Sequence, residues 1–269
     1  MLPRILAIFV LALLPLAAHA QEEQQALVDR ATLTLEEMIG QDPQSNKDRI
    51  DMLRQAKAVM ICPRVFRAGF FIGGAGGDCV LTARDGAGSW SDPAFYTMGS
   101  ASFGLQIGIQ DAEIILMILT ERGLNAILNS QFKVGADASV SFVVLGAGVE
   151  GATTAALRAD IVAFAKTRGL YAGISLNGSI FSSRSSWNEK YYGKPVGARD
   201  IVMLMQVHNP GANPLRATLG RLGAKPTAPT PTPEDQNQIP TPPAPPAQAS
   251  APRGQVQQEN LPTPLQPQH

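Results

Sequence analysis

Six basic side chains lie between Lys47 and Arg67, namely Lys47, Arg49, Arg54, Lys57, Arg64 and Arg67, against two acids, Asp48 and Asp51: six minus two, or +4 locally. On a helix running from Lys47 to about Lys57, 100° per residue gathers Lys47, Arg54 and Lys57 into one sector that also holds Ile50, with Leu53 towards the core. Such a stripe can rest on anionic headgroups, each basic residue contributing about 1 kcal/mol near the surface, or serve as an ordinary solvated face. The candidate lipid-binding residues are therefore Lys47, Arg54, Lys57, Arg64 and Arg67. The chain as a whole balances 22 Lys plus Arg against 22 Asp plus Glu, so the global positive charge that drives sequence-independent nucleic-acid binding is missing.

Other chemistry finds little support. Of the three histidines, His19, His208 and His269, one sits in an apolar leader and one is the last residue, which leaves no His-based triad and no multi-His metal centre. No Asp/Asn-alternating calcium loop is present, and no acid pair has a spacing that argues for acid and base roles. Gly73-Gly74-Ala75-Gly76-Gly77 lacks the following Lys-Ser or Lys-Thr of a phosphate loop and runs into Val80-Leu81, so it reads as a turn before a strand. Ser182 to Ser186 has no base at hand, and Arg84-Asp85-Gly86 reads as a hairpin turn. A non-enzymatic protein with no cofactor and no metal is expected.

The elements that must position the basic residues follow from periodicity. Leu27, Ala31, Leu35 and Met38 recur at helical spacing beside an acidic face until Gly40 and Pro43 stop the pattern. Ser45 or Asn46 then caps the second helix. Apolar runs at 58–61, 65–72, 80–83, 103–109, 114–119, 140–145, 161–165 and 170–180 read as strands, with short helices over 121–129 and 198–205. Strands in consecutive blocks imply an α+β domain: a curled, mostly antiparallel sheet with N-terminal amphipathic helices and short C-terminal helices. Segments 100–109, 135–146 and 170–180 each set a bulky face against a Gly/Ser face, which suits either a tightly packed layer or a groove.

Residues 1–20 carry Arg4, the apolar run Ile5 to Leu14 and Ala18-His19-Ala20, the pattern of a cleaved secretory signal, with no cysteine after it for a lipoprotein anchor. Thirteen of the 21 prolines fall between Pro226 and Pro267, so 225–269 reads as a disordered spacer and 21–224 as the folded domain. A periplasmic or secreted location follows. Export permits a Cys62–Cys79 disulfide, but strands at 58–62, 65–72 and 78–84 would put the two residues at opposite ends of a meander, which favours two buried thiols.

Several segments together resemble one family. Ala56-Lys57-Ala58-Val59 running into Pro63, Ala68-Gly69-Phe70 with Gly73-Gly74, Gly88-Ser89-Trp90-Ser91-Asp92-Pro93-Ala94-Phe95 and Gly99 to Gly108 are similar to the SYLF domain family. Gly135 to Val140, Gly169 to Ser179, and Asn188 with Tyr191-Tyr192-Gly193 continue the resemblance in order, over about residues 50 to 205. It implies a lipid-binding module linked elsewhere to phosphoinositide membranes and actin, with anionic membrane lipids as partners here, or an envelope protein if the chain is a scaffold. Two departures are visible. The first helix is acidic through Glu22, Glu23, Asp29, Glu36 and Glu37 where eukaryotic members are basic, and Cys79 stands where the family usually has glycine.

Overall fold

Leu27, Ala31 and Leu35 form the buried stripe of α1 (Glu22–Leu35), and Met38 continues it through a π-helical turn (Glu36–Gly40) in the computed structural model. The described residues are 22–41, 46–69, 72–103, 108–129, 131–144, 159–169 and 178–224. By its contacts the chain divides into 1–225 and 226–269, and every described residue lies in the first unit. The expected signal and proline-rich tail lie outside the described residues, as do Ser45, Phe70 and much of the three Gly/Ser segments.

The second helix, α2 (Lys47–Gln55), is shorter than its sequence pattern implies. Ala56 already has an extended backbone, and the Lys57 N–H donates to Ile118 O. Pairing with the sheet outcompetes two more helical residues, so Lys57 stands outside the helix that was to carry it. Asn46 occupies the cap position without a side-chain cap; its amide Nδ2 donates instead to Ile39 O, tying α2 back to the π turn.

Two long strands, β1 (Ala58–Gly69) and β2 (Ile72–Ala83), replace the expected three-strand meander. Pro63 does not end a strand: the β1–β2 register shifts between Ile61 and Arg64, a bulge that absorbs the residue with no N–H to offer. The bulge brings Cys62 opposite Cys79, and the two form a disulfide with Cα atoms 4.1 Å apart. Two thiols at opposite ends of a sheet is thus overturned, because the strands on either side of Pro63 are one strand. Gly73 to Gly77 likewise lie inside β2 and make no turn.

β3 (Ala94–Phe103) and β4 (Gly108–Ile118) flank this hairpin, followed by α3 (Glu121–Leu128), β5 (Gln131–Lys133), β6 (Val140–Val144), β7 (Ile161–Gly169) and β8 (Ile180–Ser183). The described parts of segment 100–109, residues 100–103 and 108–109, therefore belong to two strands that are not neighbours, so its Gly/Ser face is not one surface. The order β5-β8-β3-β2-β1-β4-β7-β6 is antiparallel except for β6 with β7. β5 and β6 occupy opposite edges yet are joined by residues 134–139 alone. That link reaches at most about 25 Å, whereas eight flat strands would put the edges about 34 Å apart. The sheet must curl, and it forms a half-barrel.

Both faces of the sheet are buried near the α2 end, which explains why Ala58 to Cys62 reads as a continuous apolar run. Met60, Cys62, Tyr96 and Leu116 face one cluster, closed by α3, by Phe132 and Phe181, and by α5 (Ala198–Val202). Val59, Ile61, Phe95 and Ile115 face the other, under α1, α2 and two helices that the periodicity reading did not pick out, α4 (Ser185–Tyr192) and α6 (Asn213–Leu222). Thr120 caps α3 by accepting from the Gly123 N–H. α5 stops at Val202, short of the expected 205, and Met205 has φ 48°.

Candidate functional site

The five basic residues singled out by sequence do not form one surface. Lys47 and Arg54 both clasp Asp51, at 2.7 Å each, and Arg54 also donates to Ala224 O. Lys57 pairs with Glu121 at 2.8 Å on the first turn of α3. Ile50, expected among the basic side chains, is only 8 % exposed and belongs to the core with Leu53. Arg64 and Arg67 lie about 23 Å and 33 Å further along β1 by strand rise. Strand alternation past the bulge puts them on opposite faces: Arg64 lies on the α1 side, and Arg67 shares the other face with Val65 and Ala75.

Arg64 is the residue that the fold places in company. Its guanidinium grips Asp111 of β4 at 3.0 and 3.3 Å, and it lines two adjoining recesses, together with Arg30 and Pro63 in both. The smaller, about 250 Å³, adds Lys166 and Arg168 of β7 with Asp111 and Glu113 of β4. The larger, about 450 Å³, adds Leu27, Phe66, Trp187 and the β2 backbone at Gly76 and Gly77. Cations from α1, β1 and β7 thus converge although they stand 34 and more residues apart, a clustering that no local charge count could find.

The electrostatics are those of a partly neutralised cationic groove. Glu37 reaches from the π turn to Lys166 and Arg168, and these bonds, led by that to Lys166, hold its carboxyl below the usual range. Burial, with Glu37 nearby, pushes the Glu113 carboxyl up, although Arg168 approaches it at 3.1 Å. Four cations meet three carboxylates: Arg30, Arg64, Lys166 and Arg168 against Glu37, Asp111 and Glu113. Among the described residues Arg30 donates only to Ala26 O of its own helix. Phe66, 42 % exposed, stands opposite Asp111 on the same face; Ile109, 65 % exposed, lies two residues before Asp111; Leu33, 67 % exposed, is about one turn beyond Arg30. Of these exposed apolar side chains Phe66 lines the larger recess, while Ile109 and Leu33 follow the same elements as Asp111 and Arg30.

A family model described as Las17-binding protein actin regulator (Ysc84) matches residues 99–222. The chain is 32% identical over 170 residues to LAS seventeen-binding protein 3 of Saccharomyces cerevisiae, covering 61% of this chain and 36% of that protein. It is 30% identical over 152 residues to SH3 domain-containing YSC84-like protein 1 of Homo sapiens, covering 56% and 44%. The matched region spans less than half the length of either relative. Residues 99–222 match the SYLF (Ysc84) family, and the chain is similar to its members over the lengths aligned.

Proposed function

We propose that this chain is a non-enzymatic module that binds anionic lipid headgroups, and that it does so in the groove of Arg30, Arg64, Lys166 and Arg168. The observation that carries the reading is the convergence of these four cations beside exposed Leu33, Phe66 and Ile109. Cations recruit a negative headgroup, and adjacent apolar side chains meet the acyl boundary, as at other interfacial surfaces. Export to an oxidising compartment is part of the proposal and is supported by the buried Cys62–Cys79 bridge. In this reading residues 1–20 direct export, and the proline-rich tail serves as a spacer.

Co-sedimentation of the mature chain with vesicles tests it. Phosphatidylglycerol or cardiolipin vesicles should retain the protein, with retention falling as salt rises, while phosphatidylcholine vesicles should not. Arg30→Gln with Arg64→Gln should abolish retention. Lys47→Gln with Arg54→Gln and Lys57→Gln should weaken it less, since Lys47 and Arg54 share Asp51 and Lys57 is engaged with Glu121. Equal retention on neutral vesicles would overturn the proposal, and loss confined to the second set would move the site to α2. A protein partner is the second reading, favoured by the relatives' printed names, Las17-binding among them; cross-linking that recovers an envelope protein, with no vesicle binding, would establish it instead.

A further inference from the structure

We infer that the groove takes in an apolar chain together with the anionic group, so that it is a site for one single-chain anionic amphiphile and more than a patch for headgroups at a bilayer surface. The inference rests on the cationic groove proposed above and extends it to the adjoining recess.

That recess, about 450 Å³, lies within the size range of small-molecule sites. Its apolar walls come from three elements, Leu27 of α1, Phe66 of β1 and Trp187 of α4; the carboxylate of Asp78 of β2 also lines it, neutralised by Arg184. The Trp187 wall is held before any ligand arrives. Arg184 lies over the indole, 3.5 Å from its centre, and donates to Asp78 Oδ1 at 2.7 Å. At the mouth stand Arg30 and Arg64, which also line the smaller recess with Lys166 and Arg168. An amphiphile with its anion at the mouth and its chain between Phe66 and Trp187 matches both halves.

The floor supplies an independent observation. Glycine weakens a strand interior, so its presence asks for a reason. Gly77 has one within the fold: a Cβ there would lie 2.3 Å from Arg64 O at the bulge. Gly76 has none. Its added Cβ would meet only Met98 O at an ordinary 3.6 Å, and its cross-strand partner Gly99 has nothing within 4 Å. Gly76 is also the cross-strand partner of Phe66, so a side chain at 76 would stand beside that ring in the recess. The fold does not require glycine at position 76, whereas an open floor for a ligand chain does.

The charged end of the ligand is chemically constrained. Arg30 has no carboxylate partner among the described residues, and the Arg64–Asp111 pair is exposed on both sides, so an entering phosphate can take both guanidinium groups at little cost. The class is a single-chain alkyl phosphate monoester taken up from solution.

Calorimetric titration of the full mature chain with dodecyl phosphate, held below its micelle-forming concentration, tests this. One saturable site is expected, with at least tenfold weaker binding of inorganic phosphate. Gly76→Leu should reduce dodecyl phosphate affinity at least tenfold while leaving sedimentation with phosphatidylglycerol vesicles unchanged. Phe66→Ser, on an exposed face where folding is not at stake, should give a similar loss of dodecyl phosphate if Gly76→Leu does not fold. Inorganic phosphate binding as tightly as dodecyl phosphate would overturn the inference, as would undiminished binding by folded variants. A chain that binds anionic vesicles without binding dodecyl phosphate refutes the inference alone; one that binds neither refutes the groove as a lipid site.

Discussion

Reducing the Cys62–Cys79 bridge should cost more than any single exposed contact in this domain. The two residues are 17 apart in sequence, and closing a loop of that size in the unfolded chain removes entropy worth about 3 kcal/mol. Both sulfurs sit in the buried cluster shared by Met60, Tyr96 and Leu116 and are inaccessible in the folded state, so no solvent-exposed strain or charge complicates the comparison. For a domain of this size about 1 kcal/mol corresponds to roughly 2–4 °C in Tm, which predicts a fall of about 6–12 °C. The measurement is a thermal melt of the oxidised protein against protein unfolded, reduced and refolded with the thiols kept reduced. Cys62→Ala with Cys79→Ala should melt at or below the reduced protein, since it also loses two buried sulfurs. A reduced protein melting within about 2 °C of the oxidised one would refute the reasoning, by showing either that the bridge is absent or that the unfolded chain is already constrained between β1 and β2.

Gly77→Ala should destabilise by more than about 2 kcal/mol in urea unfolding, because its Cβ would meet Arg64 O at 2.3 Å and Val65 Cα at 3.1 Å, whereas Gly99→Ala, in open space, should be neutral or gain up to about 1 kcal/mol. Glu36 is held low chiefly by its hydrogen bond from Arg221, and Glu37 by that from Lys166. Their folded pKa values lie below the unfolded ones, so their contribution is present above about pH 4.5 and lost as pH falls through the folded values; Glu36→Gln with Glu37→Gln should flatten the decline in Tm between about pH 5 and pH 3. Glu113 runs the other way. Burial raises its pKa, so its stabilising share exists below the unfolded value and is lost as pH rises; Glu113→Gln should raise Tm at neutral pH, with Arg168 still held by Glu37. Asp160→Ala should cost about 2–4 kcal/mol by denaturant titration, because the Ser139 N–H, the Ser139 hydroxyl and the Thr120 hydroxyl all donate to its carboxylate.

The class of fold was legible because periodicity is local. Leu27, Ala31, Leu35 and Met38 announce α1, and the runs at 58–61, 114–119 and 161–165 are indeed strands buried on both faces. What periodicity cannot see is how a strand survives a proline. Pro63 reads as a terminator, yet the bulge beside it carries β1 through, and the disulfide follows from that single reversal. α4 was missed because SSWNEKYY carries little apolar contrast of its own, whereas α6 was passed over although Leu215, Leu219 and Leu222 recur at helical spacing; both pack with α1 over the same buried cluster. The site shows the same limit. Charge counting along the chain found Arg64 through its neighbours in sequence, while Arg30, Lys166 and Arg168 become its neighbours only once α1 and β7 are laid against β1 and β4.

The short tie between the two edges of the half-barrel sets an order of assembly. β1 to β4 include local pairings, β1 with β2 and β2 with β3, that can form as soon as those residues exist. Residues 131–144 cannot join them: β5 waits for β8 and β6 waits for β7. β4 presents a bare edge until residue 169 has been made and β3 until residue 183, the condition under which sheets recruit foreign strands. The last event is then a cooperative one, in which β7 and β8 arrive, segment 131–144 acquires both of its partners, and the curl closes in a single step. A nascent chain stopped before β7 would carry the hairpin core in near-final form and still be the species most prone to aggregate.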